Sequence, residues 1–274
     1  MIKSFFKNIK LSTSSVILFT TIILLSFITS DFILIKSINV ESGNKFTSDK
    51  LGNLYVFGNN DIKKYDRDGK QTATYSNINY GKISSLDASN PQKIMIFYKD
   101  FSRIIFLDNT LSINGDGIAL AGIGFEMTTL SCNSANNDIW LYDSGNYQII
   151  KLDKNLGVLF NSGNLSQLLK INMNPNFLLF QNDFLFLNNP ETGILIFNAF
   201  GTYLKTIPVK ELQIFEVIGD NIYFCSKNKF KSYNIKTYEE KNFILPDTNS
   251  TKVRIEQNRL FLFNEKQIDI YSNK

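Results

Sequence analysis

The chain lacks the residue type on which much hydrolytic and metal chemistry depends. None of its 274 residues is a histidine, which excludes Ser-His-Asp and Cys-His catalytic arrangements and histidine-based zinc sites. Paired carboxylates could still act, as they do in glycoside hydrolysis. Most acidic residues, however, occupy turn positions, where a carboxylate accepts hydrogen bonds from nearby backbone N–H groups. The sequence therefore predicts no catalytic residue and no cofactor, and a protein that is not an enzyme.

One short acidic motif has the composition of a metal ligand set. Asp66-Arg67-Asp68-Gly69 resembles the start of a calcium-binding loop, but the remaining ligands, including the distant glutamate, do not follow it. The motif also comes directly after an apolar run, where an aspartate closes a turn. We expect it to be a turn, and we predict no metal site.

These turns belong to a unit of about 40 residues that recurs six times. In each unit, an apolar strand precedes a polar turn, and a second strand ends in Asp, Asn or Ser. The strand pairs are 53–57 with 62–66, 94–98 with 103–108, 138–142 with 148–153, 183–187 with 193–198, 221–225 with 230–234, and 259–263 with 267–272.

Nearly uninterrupted apolar strands must be covered on both faces, as the inner strands of stacked blades are. The repeat therefore predicts an all-β fold, a single six-bladed β-propeller over residues 31–274. Innermost strands are expected at 45–48, 83–87, 127–132, 177–181, 215–218 and 253–256, and outer strands at 72–75, near 111–113, and at 156–162, 203–207 and 242–245.

The sixth unit ends directly after its third strand, so its outer strand is missing at the C-terminal end. The apolar segment 32–40 precedes the first unit and belongs to no other blade. Placed beside residues 267–271, it would complete the last blade and leave no open edge in the ring. The sequence therefore predicts that an N-terminal strand closes the propeller.

The first 30 residues have the pattern of a secretory signal peptide. Lys3, Lys7 and Lys10 precede an apolar run over 16–28, and Ser30 offers a small residue for cleavage. The run is shorter than the roughly 20 residues that a spanning helix prefers. We expect cleavage near Ser30 and a periplasmic protein; the alternative is an uncleaved membrane anchor.

Charge and cysteine use agree with a neutral exported domain. Residues 1–30 contain three of the 29 basic residues and none of the 25 acidic ones, which leaves 26 basic and 25 acidic residues. The basic residues are scattered rather than clustered, so nucleic-acid binding is not expected. Cys132 and Cys225 fall in different predicted blades, so we expect buried free thiols rather than a disulfide.

Candidate binding residues lie in the connections between second and third strands. Phe101 and Tyr147 are aromatic residues in two of these connections, and Glu191 is a charged residue in a third. Such connections share one rim of a propeller, so these residues are the predicted binding site. In the alternative interpretation, Phe101 and Tyr147 fold back and cover blade edges.

Three segments carry a resemblance to a known group of proteins. The runs at 93–112, 140–156 and 187–208 resemble exported WD40-like or YWTD-like propellers of the Gram-negative bacterial envelope. The chain departs from both repeat types, because it has neither a Trp-Asp dipeptide nor the YWTD tetrapeptide. The resemblance implies a non-enzymatic periplasmic protein that serves protein secretion or outer-membrane assembly.

Two hypotheses from different classes follow. In the first, the propeller is a scaffold or accessory subunit that binds a protein of an envelope or secretion complex, and it meets the membrane only through that partner or an uncleaved signal. In the second, it is a carbohydrate- or peptidoglycan-active enzyme, which needs convergent carboxylates in a central pocket. The absence of histidine and the turn positions of the acids favour the first.

Overall fold

The structure, a computed structural model, describes residues 32–226, 229–247, 249–264 and 266–273. Within these ranges the chain is almost entirely β-strand, with one short α-helix. None of the helical segments there is long and apolar enough to cross a bilayer. The expected signal peptide lies outside the described residues.

Six antiparallel four-stranded sheets form the blades of a β-propeller, which confirms the predicted fold class. The first strand along the chain, β1 (Phe32–Asn39), belongs to the last blade. Blade 1 contains, from the innermost strand outward, β2 (Lys45–Ser48), β3 (Leu54–Phe57), β4 (Asp61–Tyr65) and β5 (Gln71–Ser76). Blade 2 contains β6 (Ser85–Asp87), β7 (Ile94–Tyr98), β8 (Arg103–Leu107) and β9 (Ile118–Ala119). Blade 3 contains β10 (Thr128–Asn133), β11 (Ile139–Asp143), β12 (Gln148–Leu152) and β13 (Val158–Asn161).

The other three blades follow the same order. Blade 4 contains β14 (Phe177–Gln181), β15 (Phe184–Asn189), β16 (Gly193–Asn198) and β17 (Tyr203–Ile207). Blade 5 contains β18 (Glu216–Ile218), β19 (Asn221–Ser226), β20 (Lys229–Asn234) and β21 (Glu240–Phe243). Blade 6 contains β22 (Lys252–Glu256), β23 (Arg259–Asn264), β24 (Gln267–Asn273) and β1.

The closure of blade 6 by an N-terminal strand is confirmed. β1 pairs antiparallel with β24, from Phe32 opposite Asn273 to Asn39 opposite Gln267. The register shifts once, between Leu34 and Lys36. The blade thus joins the two ends of the described chain in one sheet.

The burial of each strand follows from its position in the blade. The second strands of blades 1, 2 and 3 are buried along their whole length, because a neighbouring blade covers each face. The outer strands of blades 3 and 5 are mostly exposed, and that of blade 4 is partly exposed. This explains why the repeat is clearest in the middle strands, where both faces require apolar residues.

In the turns between third and fourth strands, Asp and Asn side chains accept hydrogen bonds from backbone N–H groups, as the sequence predicts. Asp66 Oδ1 accepts hydrogen bonds from the N–H groups of Asp68 and Lys70, at 3.0 and 2.9 Å. Asp108, Asp153 and Asn198 accept the same pair of bonds in their own turns. The segment 66–69 is therefore a turn, as expected from the sequence.

The prediction of the outer strand in blade 2 is wrong. Ile113 forms only an isolated bridge with Leu107, and the outer strand β9 begins five residues later. Gly115 and Gly117 intervene, both with positive φ. A Cβ at Gly117 would lie 2.6 Å from the Ile104 carbonyl oxygen, so only glycine allows the chain to return to the sheet there.

Apolar packing between blades is continuous around most of the ring. Each of five buried apolar clusters spans two neighbouring blades. Among the described residues, none of these clusters spans blades 5 and 6. That junction contains polar groups and a pocket, which are described below.

Candidate functional site

The alternating strand directions divide the connections between two rims. Rim A is formed by the connections between second and third strands and by those that lead to the next blade. Rim B is formed by the turns between first and second strands and between third and fourth strands. The innermost strands run from rim A to rim B around the central channel.

Phe101 lies on rim A of blade 2, at the end of a single 3-10 turn that follows β7. Its side chain is 57% exposed. Its ring lies against Gly81, where a Cβ would come within 3.2 Å of Cε2. Ser102 then adopts φ +44° and leads the chain into β8. The ring therefore contacts the connection between blades 1 and 2 and remains more than half exposed.

Tyr147 lies on rim A of blade 3, in the turn between β11 and β12. Its side chain is 41% exposed, and its backbone has a φ of +55°. Its carbonyl oxygen accepts a hydrogen bond of 2.8 Å from the N–H of Leu165. Leu165 begins the short helix α1 (Leu165–Leu169), which Asn164 caps by accepting from Gln167 N. The helix thus fixes the position of the tyrosine turn.

Glu191 lies on rim A of blade 4 and is exposed. Its Oε2 accepts a hydrogen bond of 3.1 Å from Asn172 Nδ2. The fully buried Asn189 anchors the same turn, because its Nδ2 donates to the Asn172 carbonyl and to Thr192 Oγ1, each at 2.8 Å. The structure therefore places all three predicted residues on one rim, on three consecutive blades and on connections that are hydrogen-bonded within the fold.

A pocket of about 220 Å³ opens on the same rim between blades 5 and 6. Sequence reasoning missed it, although an apolar Ile214-Phe215 pair before β18 was a usable signal. Tyr223 lines it and stacks on Phe230, with ring centroids 5.8 Å apart. The apolar part of its lining consists of Phe46, Ile214, Phe215, Tyr223, Phe224 and Val253.

Two lysines lie beside this pocket on the innermost strands. Lys252 lines the pocket, and burial together with the nearby charge of Lys45 lowers its pKa. Burial also lowers the pKa of Lys45, whose Nζ donates to the Ser84 carbonyl at 2.9 Å. Both lysines begin their strands, so the positive charge lies at the rim A end of the channel.

Deeper in the channel, an arginine joins three blades. Arg254 of blade 6 lies 3.4 Å from Glu216 of blade 5, and its Nε donates to Ser48 Oγ of blade 1 at 2.9 Å. The second oxygen of Glu216 accepts a bond of 2.8 Å from the Ile255 N–H. This bond satisfies a backbone donor at the free edge of β22.

Burial raises the pKa of the two channel glutamates. The pKa of Glu216 is raised by burial, and Arg254 opposes this effect. The pKa of Glu256 is raised to about 7 by burial and by the charges of Glu216 and Asp49, and the charge of Arg254 again opposes this increase. Across the residues that the structure describes, no group of three or more His, Cys, Asp and Glu side chains is placed to hold a metal ion.

The two cysteines are free and lie on blades 3 and 5. Cys132 is buried as expected, and burial raises the pKa of its thiol well above the usual value. Cys225 is only half-buried, because it lies beside the rim A pocket between blades 5 and 6.

No family model and no curated protein matches the chain. Solved structures match it over most of its length. Virginiamycin B lyase from Staphylococcus aureus is 14% identical, with a TM-score of 0.61, over 88% of this chain and 99% of the lyase. BamB from Moraxella catarrhalis is 8% identical, with a TM-score of 0.52, over 88% of this chain and 99% of BamB. The Pan2 WD40 domain from Neurospora crassa is 10% identical, with a TM-score of 0.56, over 85% of this chain and 79% of that domain. At these identities the matches show a shared fold, and that fold is a WD40-like β-propeller.

Proposed function

We propose that the protein is a scaffold that binds another protein of the bacterial envelope through rim A. The observation that carries the proposal is the pair of exposed aromatic residues, Phe101 and Tyr147, on consecutive blades of one rim. Aromatic side chains are enriched among the residues that dominate binding energy in protein interfaces. Both lie on connections that backbone hydrogen bonds hold in place, so little conformational entropy is lost when a partner binds.

Other features of rim A indicate what the partner presents. The pocket between blades 5 and 6 accepts an apolar side chain, because aromatic and aliphatic residues form much of its lining. Lys45 and Lys252 at the neighbouring channel mouth favour an acidic group beside that side chain. With 26 basic and 25 acidic residues after position 30, shape rather than long-range attraction selects the partner.

The envelope setting is part of the proposal. It is supported by the basic and then apolar pattern of residues 1–30 and by the resemblance of the repeats to exported envelope propellers. Cleavage after about Ser30 releases a soluble periplasmic protein. N-terminal sequencing of the protein recovered by osmotic shock tests this, and recovery of an intact Met1 in the inner membrane would favour an anchor instead.

The channel carboxylates favour the scaffold over a carboxylate-based, carbohydrate-active enzyme. Catalysis by a carboxylate pair needs both groups accessible to the sugar. Glu216 instead has both oxygens engaged, one with Arg254 and one with the Ile255 N–H. Its contacts are those of a residue that joins blades 5 and 6.

The test of the scaffold is affinity purification from the native envelope, followed by mass spectrometry of the copurifying chains. Replacing Phe101 and Tyr147 together by alanine should release the partner, because an aromatic anchor contributes about 2 kcal/mol or more to binding. The matched control replaces Phe200 and Tyr238, two exposed aromatic residues on rim B, and should retain the partner.

Thermal unfolding of both double variants completes the experiment. A nearly unchanged midpoint with loss of the partner supports the proposal. Unaltered copurification in the Phe101 and Tyr147 variant would place the interface elsewhere, and a strongly lowered midpoint would show that these rings are structural.

A further inference from the structure

The opposite mouth of the channel, on rim B, contains a second and larger pocket. Its volume is about 480 Å³, within the range of small-molecule binding sites. The turns between first and second strands of blades 1 to 4 form its walls. We propose that this pocket binds a short saccharide, with a preference for one that carries a carboxylate. The site is independent of the protein-binding rim.

The walls contain side-chain amides with unused hydrogen-bonding capacity. Asn133 is only 8% exposed, and its Nδ2 makes one long bond of 3.4 Å to the Asp87 carbonyl. Its Oδ1 accepts no hydrogen bond from any described residue. The side chains of Asn136, Asn137 and Gln181 also line the pocket and make no hydrogen bond within the described part of the chain.

The positions of these amides let a ligand reach them. Asn136 and Asn137 are exposed, so their side chains can exchange hydrogen bonds with water for hydrogen bonds with a ligand. The pocket therefore favours a polar occupant.

The kind of polar group follows from the chemistry of amides. Each Asn or Gln side chain presents one acceptor and one two-proton donor side by side, and a sugar hydroxyl both donates and accepts. Phe180 is the only large apolar residue in the lining, and an aromatic ring can pack against the C–H face of a sugar. A protein partner would need more aromatic and aliphatic surface at its centre.

The charges of the lining indicate a preference among saccharides. Lys50 lies in the turn of blade 1, whereas Asp183 is the only acidic residue in the lining. Lys93, in the turn of blade 2, has its Nζ 4.2 Å from the centre of the Phe106 ring. The amides Asn136, Asn137 and Gln181 lie on blades 3 and 4. A saccharide would therefore place a carboxylate toward Lys50 on blade 1 and its hydroxyl groups toward blades 3 and 4.

Calorimetric titration of the purified full chain with glucuronic acid, glucose and triglycine tests the proposal. Glucuronic acid should bind more tightly than glucose, from which it differs by the carboxylate, and triglycine should not bind. Lys50→Met should remove most of the preference for glucuronic acid. Failure of both sugars to bind, or tighter binding of triglycine, would overturn the proposal.

Two variants locate the sugar in this pocket. Gln181→Met keeps the side-chain length and removes the amide, and Asn137→Gly removes the amide while it tolerates the positive φ of +65°. Each should weaken glucuronic acid binding at least tenfold. Asn155→Ala, in an exposed turn of rim B outside the lining, should not change it. Equal binding by all three variants would contradict the proposed site.

A third measurement separates this proposal from the scaffold. The Phe101 and Tyr147 double alanine variant should bind glucuronic acid as the wild type does, since its changes lie on the opposite rim. Loss of sugar binding in that variant would contradict the independence of the two sites. If either amide variant does not fold, Asn136→Gly, at an exposed turn position with φ +60°, serves in its place with the same expected loss.

Discussion

Basic side chains connect neighbouring blades by hydrogen bonds. At four of the six junctions, a lysine or arginine donates to a backbone carbonyl in the turn between the third and fourth strands of the next blade. These bonds give one partner to a carbonyl that the turn leaves free. The donor and acceptor pairs are Lys64 with Asn109, Lys151 with Ala199, Lys205 with Ile235, and Arg259 with Arg67.

Lys151 provides the sharpest test of such a bond. It donates to the Ala199 carbonyl at 3.3 Å and pairs with Asp138 at 3.3 Å, and both side chains of the pair are largely buried. Lys151→Met should lower the free energy of unfolding by about 3 kcal/mol, because it leaves a buried carboxylate without its partner. Denaturant unfolding measures the loss.

The matched control is Lys63→Met, which removes an exposed lysine 4.0 Å from the exposed Asp61. A surface pair of this kind contributes about 0–1 kcal/mol, so this variant should unfold nearly as the wild type does. If the free energy of unfolding fell equally in the two variants, the buried Lys151–Asp138 pair would contribute no more to stability than an exposed pair does.

Sequence reasoning could assign the turn residues but not these lysines. Asp66 and Asp108 accept bonds from residues only two and four positions later, so their role is local and readable from spacing. The lysine acceptors lie 45 residues away for Lys64 and 48 for Lys151. Their pairing depends on how blades stack, which a single sequence does not specify.

Among the strands, β1 is exposed for most of its length and yet completes the ring. Ile33, Leu34 and Ile35 are exposed, whereas Ile38 is buried in the cluster that joins blades 6 and 1. The strand therefore contributes backbone pairing along its length and apolar packing near its end. Its place could be predicted by counting strands, because one blade lacked a strand and one segment lacked a blade.

Ile38→Ala should destabilise the protein by about 2–4 kcal/mol, since it removes buried methyl groups and leaves a cavity. Ile33→Ala, at a position that is 50% exposed, should change the stability by less than about 0.5 kcal/mol. Thermal unfolding of the two variants separates them. If Ile33 proved as costly as Ile38, the observed pairing of β1 would be wrong.

The outer strand of blade 2 could not be predicted in the same way. Its segment contains an apolar residue, Ile113, at the expected distance from β8, and the pattern favoured a strand there. The chain instead uses Gly115 and Gly117 to turn back later. A strand shift of this kind depends on backbone angles that only glycine adopts freely, and the apolar pattern contains no sign of it.

At the scale of the whole ring, the junction between blades 5 and 6 differs from the others, because no buried apolar cluster of the described residues spans it. Apolar clusters join five pairs of neighbouring blades, whereas the described contacts between blades 5 and 6 include the ion pair of Arg254 with Glu216 and the pocket on rim A. The raised pKa of Glu256 could not be predicted from the sequence, because it arises where β18, β22 and β2 meet around the channel.

This junction should make the stability depend on pH. The pKa of Glu256 rises from 4.5 to about 7 on folding, so the folded state binds the extra proton and loses stability as pH increases through that range. Glu256→Gln removes the cost of the buried charge. Allowing for partial solvent screening, it should raise the stability by about 1–2 kcal/mol near pH 8 and hardly at all near pH 4.

Thermal melts of the wild type and of Glu256→Gln across this pH range measure the difference. Glu239→Gln, at an exposed position on blade 5, is the control and should show no such trend. A gain from Glu256→Gln that is as large near pH 4 as near pH 8 would rule out titration of Glu256 as the cause.

The pairing of β1 with β24 also sets an order of events in synthesis. Ser37 and Asp269 are hydrogen-bonded partners that lie 232 residues apart in sequence. The ribosome therefore synthesises β1 early, but β1 can pair only after nearly all of the chain has been made. Contacts of such long range form slowly. A chain that stops before Gln267 retains an unpaired β1 with Ile38 uncovered, and its ring stays open. The closing sheet thus distinguishes finished molecules from unfinished ones, and premature products would show an exposed apolar strand to any protease or chaperone they meet.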